Sequence, residues 1–144
     1  MAMRTRLAVA AILALGATAA TGAARLAPRT VWDGVYTEEQ AKRGETLFQN
    51  SCARCHAETL KGIDDAPPLA GSAFLSGWDG KPLSELFQRI NSSMPSDDPG
   101  TLSKPQIVDL IAYILRFGAF PAGGAELAPD PAQLLEIKFV AAKP

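Results

Sequence analysis

The sequence is poor in the side chains that usually bind metals. Its 144 residues include one histidine, two cysteines and three methionines. A zinc site built from four Cys or His ligands therefore cannot form, and no Asp or Glu cluster has the spacing to complete one. The formal net charge of −1 gives no support for a nucleic-acid partner or for binding to a strongly anionic membrane. The length suits a single globular domain.

The sequence also lacks an apolar run long enough to cross a bilayer. The longest, residues 7–15, follows two arginines and is much shorter than the roughly 20 residues that a spanning helix needs. Residues 17–19 have the A-x-A form of a signal-peptidase site. We predict a signal peptide over residues 1–24, cleaved between Ala19 and Ala24, and a periplasmic mature chain with no stable membrane span. An uncleaved N-terminal anchor is the alternative.

The mature chain divides into three predicted parts. Residues 25–36 form an arm, residues 37–118 the main domain, and residues 119–144 a Pro/Gly-rich tail. Within the tail, residues 134–140 alone could form a short strand. Residues 57–80 carry several glycines and prolines, and we expect them to be a loop. No internal repeat and no βαβ alternation is present, so the sequence predicts an all-α fold of three to four helices with extended arms at both ends.

Capping patterns and apolar periodicity place the main helices. Thr37 followed by Gln40, and Ser103 followed by Gln106, have capping-box spacing, so helices should begin after both. The second of these helices is predicted to run from about Lys104 to Phe117 and to be the most buried, because it is apolar on nearly every face. Between them, a shorter amphipathic helix should follow Pro82. Gly44 in the first helix is unfavourable unless another helix approaches it closely.

Cys52, Cys55 and His56 form the pattern C-x-x-C-H, which is typical of covalent haem attachment. Two cysteines three apart present both sulfurs on one side of a turn, and the adjacent imidazole can ligate iron. A thioredoxin-like redox pair would need a βαβ context, and a structural disulfide would leave His56 unexplained. We therefore predict one covalent haem c, held by both cysteines and ligated by His56.

The second iron ligand follows from counting. Because His56 is the only histidine, ligation by two histidines of this chain is excluded. Met1 and Met3 would leave with the signal peptide, so Met94 is the one methionine of the predicted mature chain. It lies in a proline-containing loop rather than on a helical stripe. We predict that Met94 ligates the iron; a packing role is the alternative.

Residues 37–118 resemble class I mono-haem cytochrome c. The resemblance rests on Gly44, Cys52–His56, the loop 67–71, Met94 and Tyr113. It implies that the first and last helices cross at Gly44 against Tyr113 or Leu110. It also implies that the carbonyl of Pro67 accepts a hydrogen bond from His56 and that Leu69 touches the haem. Trp78 resembles aromatic residues on the propionate side of such proteins.

A wider resemblance covers nearly all of the mature chain. Residues 31–37, residues 93–100 and the ending 141–144 are similar to small exported cytochromes associated with quinoprotein (PQQ) dehydrogenases. This likeness implies a carrier of single electrons between a dehydrogenase and an acceptor such as a terminal oxidase, without enzyme activity of its own. The alternatives are a cytochrome subunit of a dehydrogenase or oxidase complex, and a haem enzyme or gas sensor with an open sixth position.

Overall fold

The computed structural model describes residues 28–144. The predicted signal peptide, residues 1–24, and the first three residues of the predicted arm lie outside this range. The described part is mostly helical, which confirms the all-α prediction, although its six helices exceed the three to four expected. In chain order the elements are β1 (Arg29–Thr30), α1 (Glu38–Ser51), α2 (Ala53–His56), α3 (Gly71–Trp78), α4 (Leu83–Ser93), α5 (Lys104–Phe117), α6 (Pro131–Leu135) and β2 (Ile137–Lys138).

One of the two predicted capping boxes is complete. At the start of α5, Ser103 and Gln106 exchange the expected bonds. At the start of α1, the Thr37 hydroxyl accepts a bond from the backbone N–H of Gln40 at 3.1 Å, but the Gln40 side chain turns elsewhere. It is buried, donates to the Leu127 carbonyl at 3.0 Å and accepts from the Leu127 N–H at 2.8 Å. The Gln40 side chain therefore bonds the tail at Leu127 instead of closing the capping box.

Helices α1 and α5 cross at Gly44, as predicted. A Cβ atom at Gly44 would lie 1.8 Å from the backbone oxygen of Asp109 and 3.0 Å from the Cβ of Tyr113. The backbone of Asp109 in α5 is therefore closer to Gly44 than Tyr113 or Leu110, the residues predicted to face it. One turn along, the rings of Phe48 and Tyr113 pack with centroids 5.2 Å apart. Only glycine permits this approach, because any side chain would have to push one helix away.

We expect Gly44→Val to lower the free energy of unfolding by about 3 kcal/mol, the upper end of the usual cost of overpacking, because the clash is with backbone. Urea unfolding of the intact protein would measure it. Gly124→Val is the control, since an added Cβ there meets no atom within 4 Å, and its change should stay within about 0.5 kcal/mol. A Gly44→Val loss as small as the control's would contradict the close-packing account.

The prediction that α5 is the most buried element is confirmed. Eight of its residues are buried: Ile107, Val108, Leu110, Ile111, Ala112, Tyr113, Ile114 and Leu115. Within residues 28–144, no helix has the length and apolar character needed to cross a membrane.

The prediction of a loop throughout residues 57–80 is wrong, because its last third forms α3. No side chain caps the start of this helix, and its own sequence contains two glycines, so local signals for it are weak. Contacts with distant residues hold it instead. Phe74 is buried and packs edge-on against Phe139 of the tail, with ring centroids 5.8 Å apart. Tertiary packing overrides the local preference for loop.

The tail packs against the predicted arm rather than extending away. Strand β2 pairs in parallel with β1, with Arg29 opposite Ile137. The Tyr36 hydroxyl donates to the carbonyl of Phe120 at 2.7 Å, and the Trp32 indole N–H donates to the carbonyl of Val140 at 2.8 Å. The predicted strand over residues 134–140 is right only for its middle, because α6 and its C-cap occupy the beginning.

Candidate functional site

The end of α1 and the turn α2 place both cysteines and the histidine together. The N–H of Cys52 still bonds the carbonyl of Phe48 at 2.8 Å, so the first cysteine continues the helix. The N–H groups of Cys55 and His56 then both bond the Cys52 carbonyl, at 3.1 and 2.9 Å. The two cysteines are free thiols, with Cys55 exposed and Cys52 half-buried. One tight turn therefore presents two sulfurs and an imidazole.

His56 is buried, with 7% of its surface exposed, and its tautomer is determined by a hydrogen bond. Its Nδ1 lies 2.9 Å from the carbonyl oxygen of Pro67. Since that oxygen can only accept, Nδ1 carries the hydrogen, and Nε2 keeps its lone pair for a ligand. This is the contact that the resemblance implied for Pro67. Such a bond fixes the ring orientation and increases its basicity toward a metal.

The loop after His56 folds back to bring Pro67 under the histidine. The Gly62 N–H donates to the His56 carbonyl at 2.9 Å, and the Leu69 N–H donates to that of Leu60 at 2.8 Å. Three non-glycine residues in this loop have positive φ: Ala57, Leu60 and Asp64. At Gly62, also at positive φ, an added Cβ would lie 2.1 Å from the Ala66 carbonyl oxygen. The backbone of this loop is thus locally strained at its positive-φ residues, and the surrounding contacts hold it in the path that leads to Pro67.

All the residues predicted from the sequence for the site line a single cavity of about 840 Å³: Cys52, Cys55, His56, Pro67, Leu69, Trp78 and Met94. The remaining lining includes an apolar wall that sequence reasoning did not assign to the site, formed by Phe48, Leu86, Ile90, Leu110 and Ile114. Helical periodicity could show that these side chains are buried, but not that they face a cavity. Every lining residue lies between positions 48 and 114, so the tail contributes nothing to the wall.

Met94 reaches the cavity from the end of α4. It is the C-cap of that helix, and its N–H donates to the carbonyl of Ile90 at 3.0 Å. Its side chain is half-buried and packs against the hydrophobic core. The helix thus determines where the thioether enters the cavity, 38 residues after the histidine.

Two electrostatic features distinguish the site. Burial, together with the nearby Cys55, raises the pKa of the Cys52 thiol to about 11, so this thiol is neutral at physiological pH. At the mouth of the cavity, Arg54 forms an ion pair with Asp97. The hydrogen bond from the guanidinium lowers the pKa of the Asp97 carboxyl. Sequence reasoning did not find this pair, because its members are 43 residues apart.

The residues at this cavity fit a covalent haem. Two free thiols, a histidine with Nε2 available, a thioether and apolar walls match the needs of haem c, whose iron takes His and Met ligands. The helical fold and this set of residues define a class I c-type cytochrome.

The comparison with family models agrees with this assignment to the c-type cytochromes. The model described as cytochrome c oxidase, cbb3-type, subunit III matches residues 39–114, just over half of the chain, and the chain belongs to this family. Among solved structures, the sulfane dehydrogenase SoxCD from Paracoccus pantotrophus is similar, with 25% identity and a TM-score of 0.46. That match covers 62% of this chain, which spans about half, 53%, of the SoxCD chain. No curated protein matches the sequence.

Proposed function

We propose that this chain is an exported mono-haem cytochrome that carries single electrons. Cys52 and Cys55 would hold haem c through thioether bonds, and His56 and Met94 would ligate its iron. The observation that carries the proposal is that all four side chains line one cavity, with the His56 Nδ1 bonded to Pro67 at 2.9 Å. When bound, the haem supplies the one-electron chemistry.

The residues of this chain have separate tasks in that function. Pro67 would keep the His56 ring oriented, with Nε2 directed toward the iron. Met94 favours the reduced state of the iron, which suits a carrier that accepts electrons from a dehydrogenase. Leu69 and Trp78 form parts of the wall that contact the haem and exclude water. Because Ile63 lines the cavity and is 46% exposed, it offers an apolar contact for a redox partner beside the mouth.

The donor and acceptor are proposed from the resemblance described above: a quinoprotein dehydrogenase and a terminal oxidase. The second candidate is a cytochrome subunit of a stable complex. It is favoured by the matching family, whose description names an oxidase subunit. A haem enzyme or gas sensor needs an open sixth position, and the presence of Met94 in the cavity argues against it.

The experiment is to produce the full chain in a bacterium that attaches haem to exported cytochromes. We expect denaturing mass spectrometry to show one haem per chain and a new N-terminus between residues 19 and 25. A redox titration should give a single one-electron transition. A chain without covalent haem would overturn the proposal. Affinity purification from the native membrane and periplasm then separates the candidates, because only a subunit would retain stoichiometric partners through purification.

A further inference from the structure

The loop between α4 and α5, residues 94–103, has few polar contacts with the rest of the protein. Residues 96–101 are all exposed. Its hydrogen bonds are short-range, for example from the Asp98 N–H to the Pro95 carbonyl and from the Thr101 hydroxyl to the Asp98 carbonyl. Apart from the apolar packing of Met94 and Leu102 on the core, one polar contact among residues 28–144 links this loop to an element that does not adjoin it: the ion pair of Asp97 with Arg54.

The position of Arg54 gives that ion pair its significance. Arg54 lies between Cys52 and Cys55 in the turn that would attach the haem, and Asp97 lies three residues after Met94. Both charged residues line the mouth of the cavity. The pair therefore connects the attachment turn directly to the loop that carries the thioether, across a separation of 43 residues.

We propose that Arg54 and Asp97 are positioning residues that keep Met94 seated at the iron. The inference rests on the proposed function, in which Met94 is an iron ligand. For the thioether to leave, the start of the loop must move away from the attachment turn, and the ion pair opposes that movement. Because both side chains are more than half exposed, the contribution is modest, about two- to fivefold in the equilibrium between closed and open loop. Salt should weaken it.

The test compares Asp97→Asn with Asp98→Asn in the haem-loaded protein. The two variants remove the same charge from adjacent exposed positions. Of these two carboxylates, Asp97 has an ion-pair partner among residues 28–144 and Asp98 has none. The probe is imidazole at a pH where it is neutral, so that charge does not steer its approach. Its rate of binding to the oxidised haem reports how often the sixth position opens.

We expect imidazole to bind about two- to fivefold faster to Asp97→Asn at low salt, and Asp98→Asn to behave as wild type. High salt should accelerate the wild type and abolish the difference. The double variant with Arg54→Asp and Asp97→Arg should recover much of the wild-type rate. Equal rates for Asp97→Asn and Asp98→Asn at low salt would overturn the proposal.

The Met94→Ala variant distinguishes a failure of the positioning role from a failure of the ligand assignment in the proposed function. If Met94→Ala binds imidazole much faster than wild type while Asp97→Asn does not, Met94 is a ligand and the ion pair has no positioning role. If Met94→Ala and wild type bind at the same rate, Met94 is not the ligand, and the positioning role fails together with the Met94 assignment in the proposed function. Unfolding curves of each variant verify that the fold is retained.

Discussion

Replacing both Cys52 and Cys55 with alanine is expected to abolish covalent haem and, with it, the native fold. The cavity of about 840 Å³ is bordered by core side chains such as Phe48 and Leu110. Without haem, the apolar side chains that line this open cavity lose their packing partner and face water. That loss matters because only ~5–15 kcal/mol stabilises a typical domain. The unattached chain must therefore admit water, collapse or unfold.

Denaturing mass spectrometry and far-UV circular dichroism would measure the two parts of this expectation. The single variants Cys52→Ala and Cys55→Ala are the controls, because each keeps one thiol for attachment. They should retain haem with a single thioether bond and keep most of the helical signal. Covalent haem in the double variant would show that another side chain forms the bond, and full stability without haem would show that the cavity walls do not depend on it.

Replacing Met94 with alanine is expected to leave the haem attached while changing its redox properties. The cysteines and His56 are untouched, so haem content should equal that of the wild type. Loss of the thioether removes the ligand that favours reduced iron, so the reduction potential should fall markedly. The vacated position should bind carbon monoxide stoichiometrically when the iron is reduced, whereas the wild type should resist it.

Ser96→Ala is the matched control for this variant. Ser96 lies in the same loop and also lines the cavity, but it offers no thioether. Its potential and its resistance to carbon monoxide should equal those of wild type. A Met94→Ala protein with wild-type potential would require a different sixth ligand and would revive the packing role for this methionine.

Local signals explain why a candidate site could be proposed from the sequence. C-x-x-C-H is complete within five residues, and one tight turn suffices to present its three side chains. Met94 became the candidate sixth ligand by counting, since no other methionine lies outside the predicted signal peptide. Helices α1 and α5 were predictable because capping residues and apolar periodicity act within one or two turns. Gly44 also indicated where α1 and α5 cross, because a glycine inside a helix is unfavourable without a packing reason.

Other features depended on partners far along the chain. Gln40 has the spacing of a capping box, yet it bonds Leu127, 87 residues away. Helix α3 has weak local signals and is held by Phe74 against Phe139. No periodicity could have indicated either contact, because the partner residues belong to a tail whose path is set by packing.

The sequence by itself thus determined the class of cytochrome, the candidate attachment residues and the helices that carry them, since these depend on covalent spacing and on interactions within a few residues. The tertiary structure alone decided how the walls close around the cavity, which residue bonds the Gln40 side chain and which charge pairs with Arg54. The two polar contacts join segments 43 and 87 residues apart. Such contacts form only once burial of the shared core compensates the conformational entropy of bringing the segments together.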